Sequence, residues 1–350
     1  MHDQDPWKNI ISSPTVFLIA EIGVNHENDI EVAKKMIDAA KEAGADAVKF
    51  QTYKAEHLAV KDSPAYWDQT MEQTSSQYLL FKKYDHFGEQ EFYLLADYCK
   101  TKEIVFLSTP FHFEAVDFLN PLVPFFKIAS SDITNIPLLT HVAQKKKPIL
   151  LSTGASTIAE IDEAINTIKQ NNNQEIGLLH CILDYPTKPE DANLNMIKHL
   201  KNVYPDMVIG YSDHTIPDNK MLILTLAYLF GAQIIEKHFT LDKSLPGNDH
   251  YHAMDPDDIR SFKNNLQMIA ETSGKYYKKP LPCEETSRLY ARRSLVATVQ
   301  IAPGQTITHQ MLTAKRPGTG VSPKFINQVV GRRAGKQIER DQIITWDVLN

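Results

Sequence analysis

Residues Ile176–His238 read IGLLHCILDYPTKPEDANLNMIKHLKNVYPDMVIGYSDHTIPDNKMLILTLAYLFGAQIIEKH, and their texture decides the fold. Three short apolar runs, Ile176–His180, Met207–Tyr211 and Ala232–His238, predict strands. Between them lie two longer segments, Asn195–Tyr204 and Asn219–Phe230, whose apolar residues recur at helical spacing. The strand runs are apolar throughout instead of alternating, as a strand covered by protein on both faces requires. The three strands end on polar residues: His180, then Ser212, Asp213 and His214, then Glu236, Lys237 and His238. These are parallel βα units with chemistry at their C-terminal ends.

The same rhythm extends upstream. Val16–Glu21, Ala47–Gln51, Ile104–Ser108, Phe125–Ile128 and Pro148–Ser152 predict five more strands. Helices are expected at Ile30–Ala43, Glu89–Lys102, Phe113–Leu119, Ile136–Lys145 and Ile158–Gln170. The eighth strand is followed by a helix over Pro256–Thr272, with Asp255 as its N-cap and Pro256 at its first position. Eight βα units in roughly 270 residues predict an α/β fold of the (β/α)8 TIM-barrel type. An open doubly wound sheet is the competing architecture, but no G-x-G-x-x-G follows the first strand. A long polar insertion, Thr52–Gly88, interrupts the second unit. After Ser273 the texture changes: Gly274–Pro282 (GKYYKKPLP) reads as a linker. Short β-like runs follow at Ser294–Val299, Ile338 and Ile343–Trp346, with a turn at Ala302–Gly304. The expected organisation is a barrel over residues 1–273, a linker over 274–283 and a small β-rich domain over 284–350. A domain of that size is marginal alone and is expected to pack against the barrel or a second subunit.

Composition narrows the function. The 350 residues carry a formal net charge of −6 and no basic stripe, which argues against nucleic acid as a partner. No apolar run is long enough to predict a membrane span. Met1–Pro14 lacks the basic-then-apolar order of a secretory signal. Three single cysteines, Cys99, Cys181 and Cys283, suit reduced thiols, so a cytoplasmic location is expected.

In a TIM barrel the C-terminal strand ends carry catalysis. Here they supply Glu21, Lys49, Gln51, Thr109, Lys127, Ser130, Asp132, Ser152, Ser212, Glu236 and the two histidines. Buried polar groups need partners, so a polar ligand is expected to complete them. Lys49 and Lys127, with the hydroxyls of Thr109, Ser130, Ser152 and Ser212, suit an anion such as a phosphate. The plainer alternative pairs each lysine with a local carboxylate, Glu21 or Glu236. His214 and His238 end neighbouring strands and could hold a divalent metal with open positions, with Glu21 and Asp249 nearby. His26, His180, His250 and His252 are competing ligands.

These residues lie within longer runs: AEIGVNHE (Ala20–Glu27), VKFQT (Val48–Thr52), LSTPF (Leu107–Phe111), FKIASSD (Phe126–Asp132), LSTGAS (Leu151–Ser156), GYSDHT (Gly210–Thr215), EKHFT (Glu236–Thr240), LPGNDH (Leu245–His250) and KRPGTG (Lys315–Gly320). In order and over nearly the whole chain they resemble the sialic acid synthases, which join a barrel to a C-terminal antifreeze-like (SAF) domain. The resemblance implies that phosphoenolpyruvate condenses with the open-chain aldehyde of an N-acylated hexosamine, typically N-acetylmannosamine. The products are a nine-carbon 2-keto sugar acid and phosphate. It implies a divalent metal, Mn2+ with Mg2+ or Co2+ as alternatives, on His214 and His238, polarising the aldehyde. It places Lys49, Lys127, Thr109, Ser130, Ser152, Ser212 and Tyr185 around the carboxylate and phosphate. Glu21 and Asp249 would contact sugar hydroxyls or move a proton, and Gln51 would position substrate. It further implies a domain-swapped homodimer in which Arg316 reaches the partner's barrel to bind the N-acyl group. Two departures stand out. Asp132 replaces a Glu common in the family, which shortens by one methylene the reach of a carboxylate expected to orient the attacking water, and Ile182, Leu183 and Asp184 replace smaller or more polar residues. With the insertion's Tyr66, Trp67, Ser75 and Tyr78, these leave the sugar open: a legionaminate- or pseudaminate-type acceptor is an alternative. Two further alternatives are a metal-dependent aldolase using pyruvate and a binding module built on the SAF domain.

Overall fold

The computed structural model describes residues 6–13, 15–67, 69–70, 72–172, 174–247 and 249–350. The chain folds as two compact units, residues 1–272 and 273–350.

The first unit is an eight-stranded parallel barrel. Its strands are β1 (Phe17–Gly23), β2 (Ala47–Thr52), β3 (Val105–Pro110), β4 (Phe126–Ile128), β5 (Ile149–Ser152), β6 (Ile176–Cys181), β7 (Val208–Asp213) and β8 (Ile234–His238). The hydrogen-bonded order is β3-β2-β1-β8-β7-β6-β5-β4, and β3 lies beside β4 at the remaining seam. The first and last strands are therefore neighbours: Glu21 pairs in register with His238, and Ser212 with Glu236. This register gathers the polar strand ends at one mouth.

The helices follow the expected pattern, and their ends show why. Asp29 caps Ile30–Ala43 by accepting from Glu31 N and Val32 N, and Gly44 closes it at φ 106. Asp255 accepts from Asp257 N and Asp258 N, as expected of an N-cap before Pro256–Ser273. One helix starts later than its apolar pattern suggests, at Leu222 instead of Asn219. Asp218 takes the amides of Lys220 and Leu222, and Met221 sits at φ 49, so the turn wins over the periodicity.

Two features were not expected. Pro6–Ser12 is helical, and it buries Trp7 and Ile10 among Phe17, Ala47, Phe125, Leu150, Val208 and Ile234, at or near the N-terminal ends of the strands. The helix thus closes the base of the barrel. A Cβ on Gly177 would lie 2.9 Å from the Trp7 ring, so this strand position must stay bare for the indole to seat. The insertion also has its own structure. It forms helices at Ala55–Leu58 and Gln77–Tyr84, joined by a bridge between Pro64 and Ser76 and a Lys83–Glu72 ion pair of 2.6 Å.

The second unit pairs β9 (Ser294–Ala297) antiparallel with β10 (Leu312–Lys315). Isolated bridges, including Val296 with Ile343 and Ile301 with Ile338, complete a small β-rich core. The expected turn is present, with Gly304 at φ 79 and Gln305 N donating to Ala302 O. No helix among the described residues is long and apolar enough to cross a membrane.

Candidate active site

A cavity of about 330 Å³ opens at the C-terminal ends of the strands. Its walls include every site residue expected in the barrel: Glu21, Lys49, Gln51, Thr109, Lys127, Ser130, Asp132, Ser152, Tyr185, Ser212, His214, Glu236, His238 and Asp249. Arg316 lies in the second unit and is exposed.

The strand period sorts the polar ends into two sets. Ser212, Glu236 and His238 face the cavity. Asp213 and Lys237 do not; they form a buried ion pair of 2.7 Å, and Asp213 also accepts from Tyr211 Oη and Thr215 Oγ1. Half of the polar residues in GYSDHT and EKHFT therefore hold the rim together, and the other half meet the cavity.

Two lysines and two carboxylates form the floor. Lys49 Nζ lies 2.6 Å from Glu21 Oε2 and 3.8 Å from Glu236 Oε2, and donates to Thr109 Oγ1. Lys127 Nζ lies 3.5 Å from Glu236 Oε1, which also accepts from Ser212 Oγ at 3.1 Å. The lysines thus have carboxylate partners and line the cavity at the same time. The two carboxyls are driven apart. Burial pushes Glu21 up to about 7, further raised by the Glu236 charge and only partly countered by Lys49. Burial also opposes ionisation of Glu236, but Lys127 and Lys49, with the Ser212 hydroxyl, outweigh it and hold this carboxyl below its ordinary value. Glu236 is the fixed anion, and Glu21 can exchange a proton near neutrality. Gly23, at φ 56, leaves room here: a Cβ would lie 3.3 Å from both Glu21 Oε1 and Gln51 Nε2.

On the β4–β6 side, Ser130 Oγ accepts from Gly154 N at 2.8 Å. A Cβ on Gly154 would meet Ser130 Oγ at 2.9 Å and Leu183 Cγ at 3.2 Å, so the loop is packed against the site. Ser152 Oγ is buried and has no hydrogen-bond partner among the described residues, as a ligand-binding hydroxyl would be. Asp132 is half-buried, accepts from Asn135 Nδ2 at 3.0 Å, and is pushed up by burial.

The histidines meet on the other side. The rings of His214 and His238 have centroids 5.6 Å apart, with Tyr185 packed 4.0 Å from His214. His214 Nδ1 lies 2.7 Å from the carbonyl oxygen of Ile182. Donating that N–H leaves Nε2 as the ligand atom, the usual arrangement of a metal-binding imidazole. His238 Nδ1 is buried, has no hydrogen-bond partner among the described residues, and lies 3.7 Å from Asp249 Oδ2. Burial, reinforced by His252 and His214, holds His238 well below its usual value, so it is neutral and able to coordinate. His238, Asp249 and His252 offer ligand atoms that all lie within 4.8 Å of one another. The residues present fit a divalent ion.

Among the competing histidines, three are turned to other tasks. His180 Nε2 is 2.8 Å from Ala192 O, His26 stacks on Phe87, and His250 Nδ1 is 2.8 Å from Thr240 Oγ1. His250 still lines the cavity, whereas His252 is buried behind it, against His238 and Asp249; the sequence reading left both among four competitors, and the Asp249-x-x-His252 spacing just after β8 is the signal that could have singled His252 out. Cys181, which reads as an ordinary thiol, lies on the cavity wall with Sγ 3.9 Å from His214 Nδ1. The insertion supplies an apolar and aromatic wall from Leu58, Tyr66, Trp67, Leu80, Phe81 and Tyr84. Its aromatics divide: Phe87 is core, while Phe81 and Tyr84 face the cavity.

Comparison with known proteins gives the family. Residues 36–278 match the NeuB family and residues 292–350 match the SAF domain. The chain is 39% identical over 343 residues to the N,N'-diacetyllegionaminic acid synthase of Legionella pneumophila, covering 96% of this chain and 95% of that one. It is 34% identical over 330 residues to the N-acetylneuraminate-9-phosphate synthase of Mus musculus, covering 94% and 91%. The crystal structure of the N-acetylneuraminic acid synthetase of Leptospira borgpetersenii, in complex with citrate, superposes with a TM-score of 0.67 at 35% identity, over 78% of this chain and 90% of that one. This chain belongs to the NeuB family of sugar acid synthases, an enzyme barrel followed by a SAF domain.

Proposed function

We propose that the chain condenses phosphoenolpyruvate with the aldehyde of an N-acylated hexosamine, giving a nine-carbon 2-keto sugar acid and phosphate. The observation that carries this reading is the single cavity in which two buried lysines and four hydroxyl side chains face two imidazoles. A trianionic donor needs the first set, and a carbonyl acceptor needs an electrophilic partner near the second.

In this reading Lys49 and Lys127 hold the donor's carboxylate and phosphate, with Thr109, Ser130, Ser152 and Ser212 completing the ring of donors. Glu236 is shared by the two lysines and keeps them in place before the donor arrives. The enol carbon C3 attacks the aldehyde carbon, water adds at C2, and the C–O bond to phosphate breaks. Glu21 is the group able to take or return a proton, because its carboxyl is held near 7. Asp132, which accepts from Asn135 on one oxygen, would orient the water with the other. His214 and His238, with Asp249 or His252 adjacent, would hold a divalent ion, Mn2+ being our choice. Such an ion supplies Lewis-acid polarisation of the acceptor carbonyl.

The apolar wall of Leu58, Tyr66, Trp67, Leu80 and Phe81 favours a second reading of the acceptor. Such a wall suits a deoxy, twice-acylated hexose better than a sugar with a full set of hydroxyls. The identity to a diacetyllegionaminic acid synthase points the same way.

Phosphate release tests both readings. Phosphoenolpyruvate and Mn2+ would be offered with N-acetylmannosamine, diacetamido-deoxyhexoses and pyruvate controls. Stoichiometric phosphate with an acylated hexosamine is expected, and activity should vanish on chelation or in His214→Ala and His238→Ala. Condensation with pyruvate and no phosphate would replace this reading with an aldolase. Preference for N-acetylmannosamine over every diacylated sugar would remove the second acceptor reading.

A further inference from the structure

A second constellation of metal-binding groups lies at the rim, built from residues that the condensation does not use. His57 is in the short helix Ala55–Leu58 of the insertion, His112 follows β3, and Glu114 is in the helix Phe113–Leu119. Each offers a ligand atom, and the three atoms lie within 4.8 Å of one another. The two imidazole rings have centroids 4.9 Å apart at 67°. His112 Nδ1 is shut off from solvent and has no hydrogen-bond partner among the described residues, an unfavourable state for a ring nitrogen.

We infer that His57, His112 and Glu114 form a peripheral divalent-metal site, distinct from the histidines of the cavity. Two imidazoles and one carboxylate select a borderline transition ion such as Zn2+ or Co2+, with solvent completing the coordination, and discriminate against Mg2+ and Ca2+. Lys54 is a positive charge that acts on His112, and its Nζ donates to the carbonyls of Asp85 and Phe87. Its position is set by those bonds, and it offers no ligand that would compete for the ion.

The site has a structural consequence because of its neighbours in sequence. Leu58 follows His57, Phe111 precedes His112, and both line the cavity. An ion held by this triad ties the insertion to the β3 loop directly behind the apolar wall. Metal occupancy would therefore stiffen the side of the cavity assigned to the sugar.

The full-length His214→Ala/His238→Ala protein, stripped with chelator and titrated with Co2+, isolates this site. One equivalent of Co2+ is expected to remain, seen by visible absorption and equilibrium dialysis. It should be lost on adding His57→Ala or His112→Ala, and excess Mg2+ should not displace it. Co2+ should also slow amide exchange at residues 55–58 and 111–114. No binding in the His214→Ala/His238→Ala protein, or binding that ignores His57 and His112, overturns the proposal. If that protein does not fold, His57→Ala alone decides. Loss of one equivalent relative to the unsubstituted chain supports the site, and unchanged stoichiometry overturns it.

Discussion

Glu21 and Glu236 share Lys49 yet their carboxyls are pushed in opposite directions, and the difference has a measurable consequence. Glu236 faces both lysines, whereas Glu21 faces one lysine and the Glu236 charge. Phosphoenolpyruvate would bring further negative charge to the same floor. Like charge disfavours the ionised carboxyl, so the Glu21 value, already about 7, should rise on binding. Binding above neutral pH should then draw a proton from solution. Calorimetry of donor binding to the metal-stripped protein, in buffers of different ionisation enthalpy, should show uptake that is larger at pH 8 than at pH 6. Glu21→Gln should abolish it. Uptake that persists in Glu21→Gln would assign the proton to another group. Little of this was visible in the sequence. AEIGVNHE and EKHFT mark both glutamates as strand-end groups, but their inequality comes from β1 and β8 being neighbours and from Lys127 reaching Glu236. The sequence leaves open whether lysines in such a site serve a ligand or a carboxylate; in the folded chain they line the cavity and carry carboxylate partners together.

At the scale of elements, the strands were legible because burial on both faces leaves an uninterrupted apolar run. The N-terminal helix was not. It has seven residues, and among the described ones only Trp7 and Ile10 mark its buried face, too few to establish a period. Its importance comes from where it lands. Trp7 stacks edge-on against Phe125 at 5.4 Å and fills the space that Gly177 leaves bare. Trp7→Ala should lower the stability of the barrel by about 3–5 kcal/mol, with the cost set by how far the base can collapse. Chemical denaturation would measure it, and a loss below about 1 kcal/mol, a level typical of surface sites, would mean that the helix does not brace the base. The insertion was partly legible: Tyr66 and Trp67, singled out as bearing on the sugar, line the cavity, and Phe81 and Tyr84 join them on a segment braced by two short helices and the Glu72–Lys83 pair. His252 was likewise only one of four competing histidines. The loop after β8 decides among them: Asn25 Nδ2 donates to the carbonyls of Phe239 and Asp249, fixing the segment that carries Asp249 and leads to His252.

At the scale of the whole molecule, Arg316 poses the remaining question. It is exposed on a small domain of its own, while every other residue assigned to the site belongs to the barrel. A charged group on a separate domain serves a barrel only if that domain is brought to the mouth. In a homodimer with two-fold symmetry the small domain can cover the partner's barrel as readily as its own. We propose that Arg316 acts in the partner's site, on the acyl group of the sugar. The arrangement then fixes the outcome of mixing the two impaired proteins at a hexosamine concentration too low for Arg316→Ala alone to turn over. In a dimer of one Lys127→Ala and one Arg316→Ala subunit, one site carries both defects and the other carries neither. Equal mixing with free exchange makes half the dimers hybrid, so roughly a quarter of the unsubstituted activity should return. If Arg316 served its own barrel, each site in the hybrid would keep one defect and nothing would return. Because Arg316 is assigned to the sugar, the single variant should also raise KM for the hexosamine far more than for phosphoenolpyruvate. A variant that lowers both affinities equally, with no recovery on mixing, would place Arg316 outside the site.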